Sequence, residues 1–178
     1  MGSPKALLPF RGESFLDTLT GLLSRVCSPV IVVLGADADR IERTAARRAI
    51  FVRNEQYLRG QTSSLQCGLR AAPAEGVLFT LVDHPAVGLA TLQRLLTPAG
   101  SQILRVPRYR GRKGHPIWFH RDLIPEFLAL GENGTARDVV RAHAEDTEFI
   151  EVDDAGILAD IDDPEAYRKL MESPEALV

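Results

Sequence analysis

The stretch SPVIVVLGADADRIERTAARRAIFVRN, residues 28 to 54, decides the fold class. Its apolar core, Val30 to Leu34, has no polar alternation, which is the pattern of a parallel strand buried on both faces. Gly35-Ala36-Asp37 ends that strand and opens a helix, with Asp37 or Asp39 near its start and arginines toward its end, as the helix dipole favours. AIFVRN, 49 to 54, is the second strand. The same alternation continues outward. TSSLQCGLRAA (62 to 72) opens with hydroxyl residues suited to a helix cap, GVLFTLVDHP (76 to 85) is the third strand, and VGLATLQRLLTP is its helix. SQILRVP and HPIWFH read as strands around a basic loop, RDLIPEFLAL and TARDVVRAH as helices, and TEFIEV, GILADI and the helix PEAYRKLMES close the chain. Strands alternating with helices imply layered α/β architecture around a mostly parallel sheet, with ligands at the carboxyl ends of the strands. Residues 1–178 are expected to form a single domain.

Composition narrows the function. The chain carries 21 Lys and Arg against 24 Asp and Glu, a formal charge of -3, which gives no electrostatic footing for nucleic acid. Cys27 and Cys67 lie in apolar contexts, as buried free thiols do in a reducing compartment. No apolar run approaches the ~20 residues that span a bilayer, and no signal-peptide pattern opens the chain. The expectation is a cytoplasmic protein with neither nucleic-acid nor membrane partners.

Several polar residues stand out on this frame. Asp83 follows the third apolar run in Leu81-Val82-Asp83-His84-Pro85, where a carboxylate either holds a hard cation or caps the next helix. Asp160 and Asp162 in Leu158-Ala159-Asp160-Ile161-Asp162-Asp163-Pro164 share a face if that stretch is extended, whereas Asp163 before proline reads as a helix cap. Arg108, Arg110, Arg112 and Lys113 make a cationic loop that meets phosphate or is a solvated hairpin turn. In Gly114-His115-Pro116 the glycine permits close backbone approach and the histidine both donates and accepts. Gly60-Gln61-Thr62-Ser63-Ser64 offers hydroxyls, an amide and helix N-terminal donors, suited to ribose or base or to an ordinary cap.

Taken in order, Lys5 with LLPFRGESFLD, VIVVLGAD, NEQYLRGQTSSLQCGL, LVDHP, GRKGHPIWF and ILADIDDPEAY resemble the MobA-like nucleotidyltransferase family, and more closely its molybdenum-cofactor cytidylyltransferase branch. The resemblance implies a three-layer Rossmann-like fold. It implies transfer of a nucleoside monophosphate from a nucleoside triphosphate, CTP or GTP with CTP favoured, to a small phosphorylated acceptor such as the molybdopterin cofactor, with Mg²⁺ as cofactor and a molybdoenzyme as protein partner. By the same resemblance Asp83 is the main Mg²⁺ ligand, Asp162 the second and Asp160 its competitor. Lys5, with the backbone of Gly2 nearby, goes to the phosphates, Gln61, Ser63 and Ser64 to base or ribose, and His115 with Arg112 and Lys113 to the acceptor. His84 departs from the glutamine or methionine usual between the acid and the proline.

MGSPK looks like the last five residues of the family's glycine-rich loop, so the first strand and most of that loop are expected to be missing, from an internal start, with weakened transfer as the consequence. Removing a central strand would leave its neighbours with unpaired backbone and uncovered apolar side chains. The alternatives are a sugar-phosphate or other small-molecule nucleotidyltransferase, a non-catalytic nucleotide-binding relative, and an unrelated phosphatase-like or response-regulator-like sheet. The last needs an acid cluster at the end of the first strand, which Leu34-Gly35-Ala36-Asp37 lacks.

Overall fold

The computed structural model describes residues 3–46, 49–72, 74–97 and 100–172, so Gly2 lies outside the described residues. A 3-10 turn at Lys5–Leu7 leads into a hairpin of β1 (Pro9–Phe10) and β2 (Glu13–Ser14). Its linking residues Arg11 and Gly12 both hold positive φ, as a two-residue hairpin turn requires. Ser14 then caps α1 (Phe15–Leu23), its hydroxyl oxygen accepting from the Asp17 N–H at 3.0 Å. There follow β3 (Ile31–Leu34), α2 (Ala38–Thr44), β4 (Ile50–Arg53), α3 (Gln61–Arg70), β5 (Gly76–Phe79) and α4 (Leu89–Leu96). The second half holds β6 (Leu104–Tyr109), β7 (Arg112–Lys113), β8 (Ile117–His120), α5 (Ile124–Ala129), α6 (Ala136–Ala142), β9 (Thr147–Glu151) and α7 (Pro164–Glu172).

β3 and β4 pair in parallel, Ile31 opposite Ile50 through Leu34 opposite Arg53. The larger sheet has five strands: β8 lies between β5 and β6, antiparallel to both, while β9 runs parallel to β6 on its other side. The strands β5, β6 and β9 therefore share one direction, which makes the sheet mostly parallel, and β8 with the short β7 runs against them.

Period-two alternation sends successive side chains to opposite faces. Phe79, Leu104, Val106, Ile117 and Phe119 pack with Leu65 and Leu69 of α3, Phe127 of α5 and Val139 of α6. Leu78, Trp118 and Ile150 pack the other way, with Leu19 of α1 and Leu92 and Leu95 of α4. Helices thus cover both faces, and the architecture is the expected three-layer α/β fold.

Among the described residues β3 pairs with β4 alone, and β5 with β8 alone. Helices bridge the two sheets on both sides. Leu16 of α1 packs with Leu34 while Leu19 joins Leu78, and on α3 the Gly68 backbone approaches Val33 while Leu65 and Leu69 sit with Val106 and Ile117. Val32, Val33, Val77, Leu78 and Phe79 on these two strands are only partly buried.

One boundary differs from the sequence reading. β5 ends at Phe79, opposite Ile117, and Asp83 lies beyond it in a turn. The next residue across, Pro116, has no N–H to continue the ladder.

Candidate active site

Three segments converge just past β5. The Ile161 N–H donates to the Asp83 carbonyl at 3.1 Å, which lays residues 160 to 162 alongside the turn that holds Asp83. Ile161 is buried among Leu8, Phe10, Phe15 and Ala86, so its neighbours Asp160 and Asp162 are both turned to the exposed side, as side chains two apart in extended backbone are. Asp163 serves as a cap, accepting from the Ala166 N–H at 2.8 Å, with Pro164 at the first position of α7. Lys5 arrives from the N-terminal 3-10 turn. Its Nζ lies 2.5 Å from Asp162 Oδ1 and 3.4 Å from Asp83 Oδ2.

The electrostatics follow from this crowding. Burial works to lower the Lys5 pKa, but the Asp162 hydrogen bond and the two carboxylate charges outweigh it and raise it. The same bond holds Asp162 below the usual carboxylate range. Burial, then the charges of Asp83 and Asp162, raise Asp160.

Asp83, His84 and Asp160 each offer one ligand atom, and those atoms lie within 4.8 Å of one another. An ion bound at about 2.1 Å sets opposed donors roughly 4 Å apart, so a small side-chain adjustment closes the set. Asp83 Oδ1 is buried without a hydrogen-bond partner, which is the condition that a cation relieves, and His84 Nε2 stands 3.9 Å from it. A divalent cation therefore fits here. In the sequence His84 stands only as a departure from the family pattern, and the fold is what brings its ring beside Asp83 and Asp160. Its signal was an imidazole immediately after a carboxylate at the end of an apolar run.

The Gly114-His115-Pro116 segment joins the cluster from behind. Gly114 N–H donates to the Pro107 carbonyl at 3.1 Å and His115 N–H to the Ile157 carbonyl at 3.0 Å. A Cβ on Gly114 would stand 2.3 Å from that Ile157 oxygen, so the close approach admits glycine alone. The His115 ring lies 5.0 Å from that of His84. Burial, followed by the nearness of His84, pushes the His115 pKa down to about 4, so the ring is neutral at physiological pH. Ile157 is fixed in turn by Asp154, which accepts from the N–H groups of Gly88 and Gly156, each at 2.9 Å, and from the Thr91 hydroxyl at 2.5 Å.

The hydroxyl-rich turn sits past β4. Gly60, at φ 89°, opens α3, and Asn54 secures the turn: its Nδ2 donates to Ser63 Oγ at 2.9 Å and Ser64 Oγ at 3.0 Å, and its Oδ1 accepts from the Gln56 N–H at 3.0 Å. Asn54 is buried and was not singled out from sequence. Gln61 is exposed at the first position of α3. A cavity of about 420 Å³ adjoins this turn, lined by Gly35, Asp37, Arg40, Arg43, Asn54 and Tyr57 among others. It does not include the Asp83 cluster.

The basic loop is a hairpin. Arg110 and Gly111, both at positive φ, form the turn between β6 and β7. Arg108 pairs with Glu151, while Lys113 lies 4.4 Å over the Phe149 ring, and Arg112 and Lys113 are exposed.

Residues 1–147 match the MobA-like NTP transferase domain. The chain belongs to this family. It is 31% identical over 181 residues to nicotine blue oxidoreductase of Paenarthrobacter nicotinovorans, spanning 94% of this chain and 88% of that protein. It is 22% identical over 169 residues to the molybdenum cofactor cytidylyltransferase of Escherichia coli (strain K12), covering 94% of this chain and 86% of that one. Among solved structures, the manganese complex of Rv0371c from Mycobacterium tuberculosis H37Rv superimposes with a TM-score of 0.83 at 28% identity, over 96% of this chain and 92% of that chain. This MobA-like protein is a nucleotidyltransferase of the three-layer α/β type. Among its described residues no helix is long and apolar enough to cross a membrane.

Proposed function

We propose that this MobA-like protein transfers cytidine monophosphate from CTP to a phosphorylated acceptor of the molybdopterin class in the cytoplasm, delivering the product to a molybdoenzyme. The observation that carries this reading is the meeting of Asp83 with Asp160 and Asp162, from distant parts of the chain, with Lys5 between them. Carboxylates on an open cluster beside a lysine suit a triphosphate and a divalent cation.

In the proposed reaction an acceptor oxygen attacks the α-phosphorus, the α–β anhydride bond breaks, and pyrophosphate leaves with the bonding electrons. Positioning and electrostatics carry such a transfer, without a protein nucleophile. Asp83, with Asp160 or Asp162, would hold the cation, Mg²⁺ in this reading, which screens the phosphate charge and stabilises the leaving pyrophosphate. Lys5 exchanges Asp162 for a phosphate oxygen when the triphosphate arrives, as a compact ammonium with three donors can. Ser63, Ser64 and Gln61 take the ribose or base. His115, neutral at physiological pH, lies beside the acceptor in this reading, where its ring can hydrogen-bond and orient an acceptor oxygen.

The test is pyrophosphate release from CTP, GTP and ATP, each with molybdopterin and a divalent cation, beside thermal shifts with each nucleotide. Cation-dependent release from CTP that Asp83→Ala abolishes supports the proposal. A sugar phosphate that replaces molybdopterin as acceptor would redirect it, and silence toward all three nucleotides would overturn it. An oxidoreductase role is the second reading, favoured by the 31% identity to a relative that is named for one; turnover of a redox substrate without pyrophosphate release would select it.

A further inference from the structure

His84 has no structural employment that accounts for its burial. Its side chain is 7% exposed, its Nδ1 has no hydrogen-bond partner, and the nearest acid, Asp83 Oδ1, stands 3.9 Å from its Nε2, too far for a hydrogen bond. The exposed-side histidines are paired, His120 Nδ1 lying 3.0 Å from Asp122 and His143 Nε2 2.9 Å from Glu126, whereas His115, stacked on His84, shares its unpartnered buried Nδ1 but has no carboxylate pair beside it within the donor group. Asp83 Oδ1 is likewise buried without a partner, and Asp160 completes a group of donor atoms within 4.8 Å. A buried imidazole that packed only as a core ring would need its nitrogens bonded elsewhere, and stacking on His115 at 5.0 Å between centroids supplies no such bond. A cation between His84, Asp83 and Asp160 satisfies the orphaned Asp83 Oδ1 and takes the imidazole through Nε2, the nitrogen 3.9 Å from that oxygen.

The donor set says which cation. Mg²⁺ is a hard ion that takes oxygen ligands, keeps several of its waters and gains little from a nitrogen. Imidazole beside carboxylate suits first-row transition ions. We propose that His84 is a direct ligand of the divalent cation and that it makes the site select a first-row transition ion over Mg²⁺. The inference rests on reading Asp83 and Asp160 as cation ligands, adds the imidazole to them, and replaces Mg²⁺ in that reading with the ion that the imidazole selects.

Mn²⁺ is the probe, because its unpaired electrons report both binding and ligand identity. The full chain is titrated with MnCl₂ and separately with MgCl₂ in competition, with and without a non-hydrolysable CTP analogue, and bound Mn²⁺ is followed by electron paramagnetic resonance. Wild type is expected to hold Mn²⁺ more tightly than Mg²⁺ by about tenfold or more, with nitrogen modulation in the pulsed spectrum from one imidazole. His84→Gln, checked for folding by circular dichroism, should lose the nitrogen modulation and most of the Mn²⁺ preference while still binding both ions through Asp83. Wild-type Mn²⁺ without nitrogen coupling, or equal affinity for the two ions, overturns the proposal even if no variant folds, and leaves the carboxylate reading standing. No binding of either ion, with or without the nucleotide analogue, removes both.

Discussion

The Ile161 N–H reaches the carbonyl oxygen of Asp83 at 3.1 Å, and this one backbone bond makes neighbours of carboxylates from opposite halves of the chain. The proposed chemistry depends on it, because Asp160 and Asp162 lie on either side of a buried isoleucine and follow wherever that residue is anchored.

Asp83→Asn keeps the shape of the turn and removes the charge. Pyrophosphate release should fall by about a hundredfold or more, the scale of losing one electrostatic stabiliser at a transferring phosphoryl group. Circular dichroism and the melting temperature should stay close to wild type, because the residue is partly exposed and the Lys5 contact at 3.4 Å is its weaker one. Unchanged turnover would remove Asp83 from the reaction.

Asn54→Ala takes two donors and an acceptor from a buried position. Urea unfolding should show a loss of roughly 1–3 kcal/mol, the cost of leaving buried partners unsatisfied. With Ser63 and Ser64 no longer held, KM for the nucleotide should rise with kcat little changed, the signature of lost ground-state binding. A fall in kcat alone would separate this turn from nucleotide binding.

Gly114→Ala drives a methyl to 2.3 Å from the Ile157 oxygen, a contact that only backbone movement can relieve. The His115 N–H bond to that same oxygen should be lost. Destabilisation of about 1–3 kcal/mol is expected, as for other overpacked positions, together with weaker cation affinity as residues 157 to 162 shift. Hydrogen exchange at the His115 amide would register the change; protection equal to wild type would contradict it.

The pH dependence of stability carries the signature of His115. Its folded pKa, about 4, lies below the unfolded value of 6.5, so between these the unfolded chain binds the extra proton. Stability from this group is complete above about pH 6.5 and drains away as pH falls toward 4, by up to roughly 3 kcal/mol. His84, also lowered by burial, acts in the same sense. Urea titrations from pH 7.5 to 4.5 on wild type and His115→Gln isolate the difference, and the variant should show the shallower acid loss. Parallel curves would mean that the ring is neither buried nor neutral in solution.

Much of this molecule was legible in one dimension. The apolar run at 30–34 marked β3, the run read at 76–85 marked β5 though not its end, and alternation around Ile161 placed Asp160 and Asp162 on one face. Asp163 followed by proline marked the start of α7, and the glycine before His115 signalled a close approach that Ile157 then supplied. These are local properties, set by the period of the backbone and by which residues tolerate a given φ or contact.

Other features needed distant partners. Nothing local stops β5 at Phe79; the limit comes from Pro116, which meets it across the sheet without an N–H. The insertion of β8 between β5 and β6, the seat of Asn54 beneath two serines, and the burial of His84 beside Asp83 and Asp160 are all pairings across long stretches of chain. Period and propensity decide what each segment becomes, because they act over a few residues. Which segments meet is decided by burial and hydrogen-bond satisfaction over the whole fold, and that is why the carboxylates could be named in advance while the imidazole among them emerged only in three dimensions.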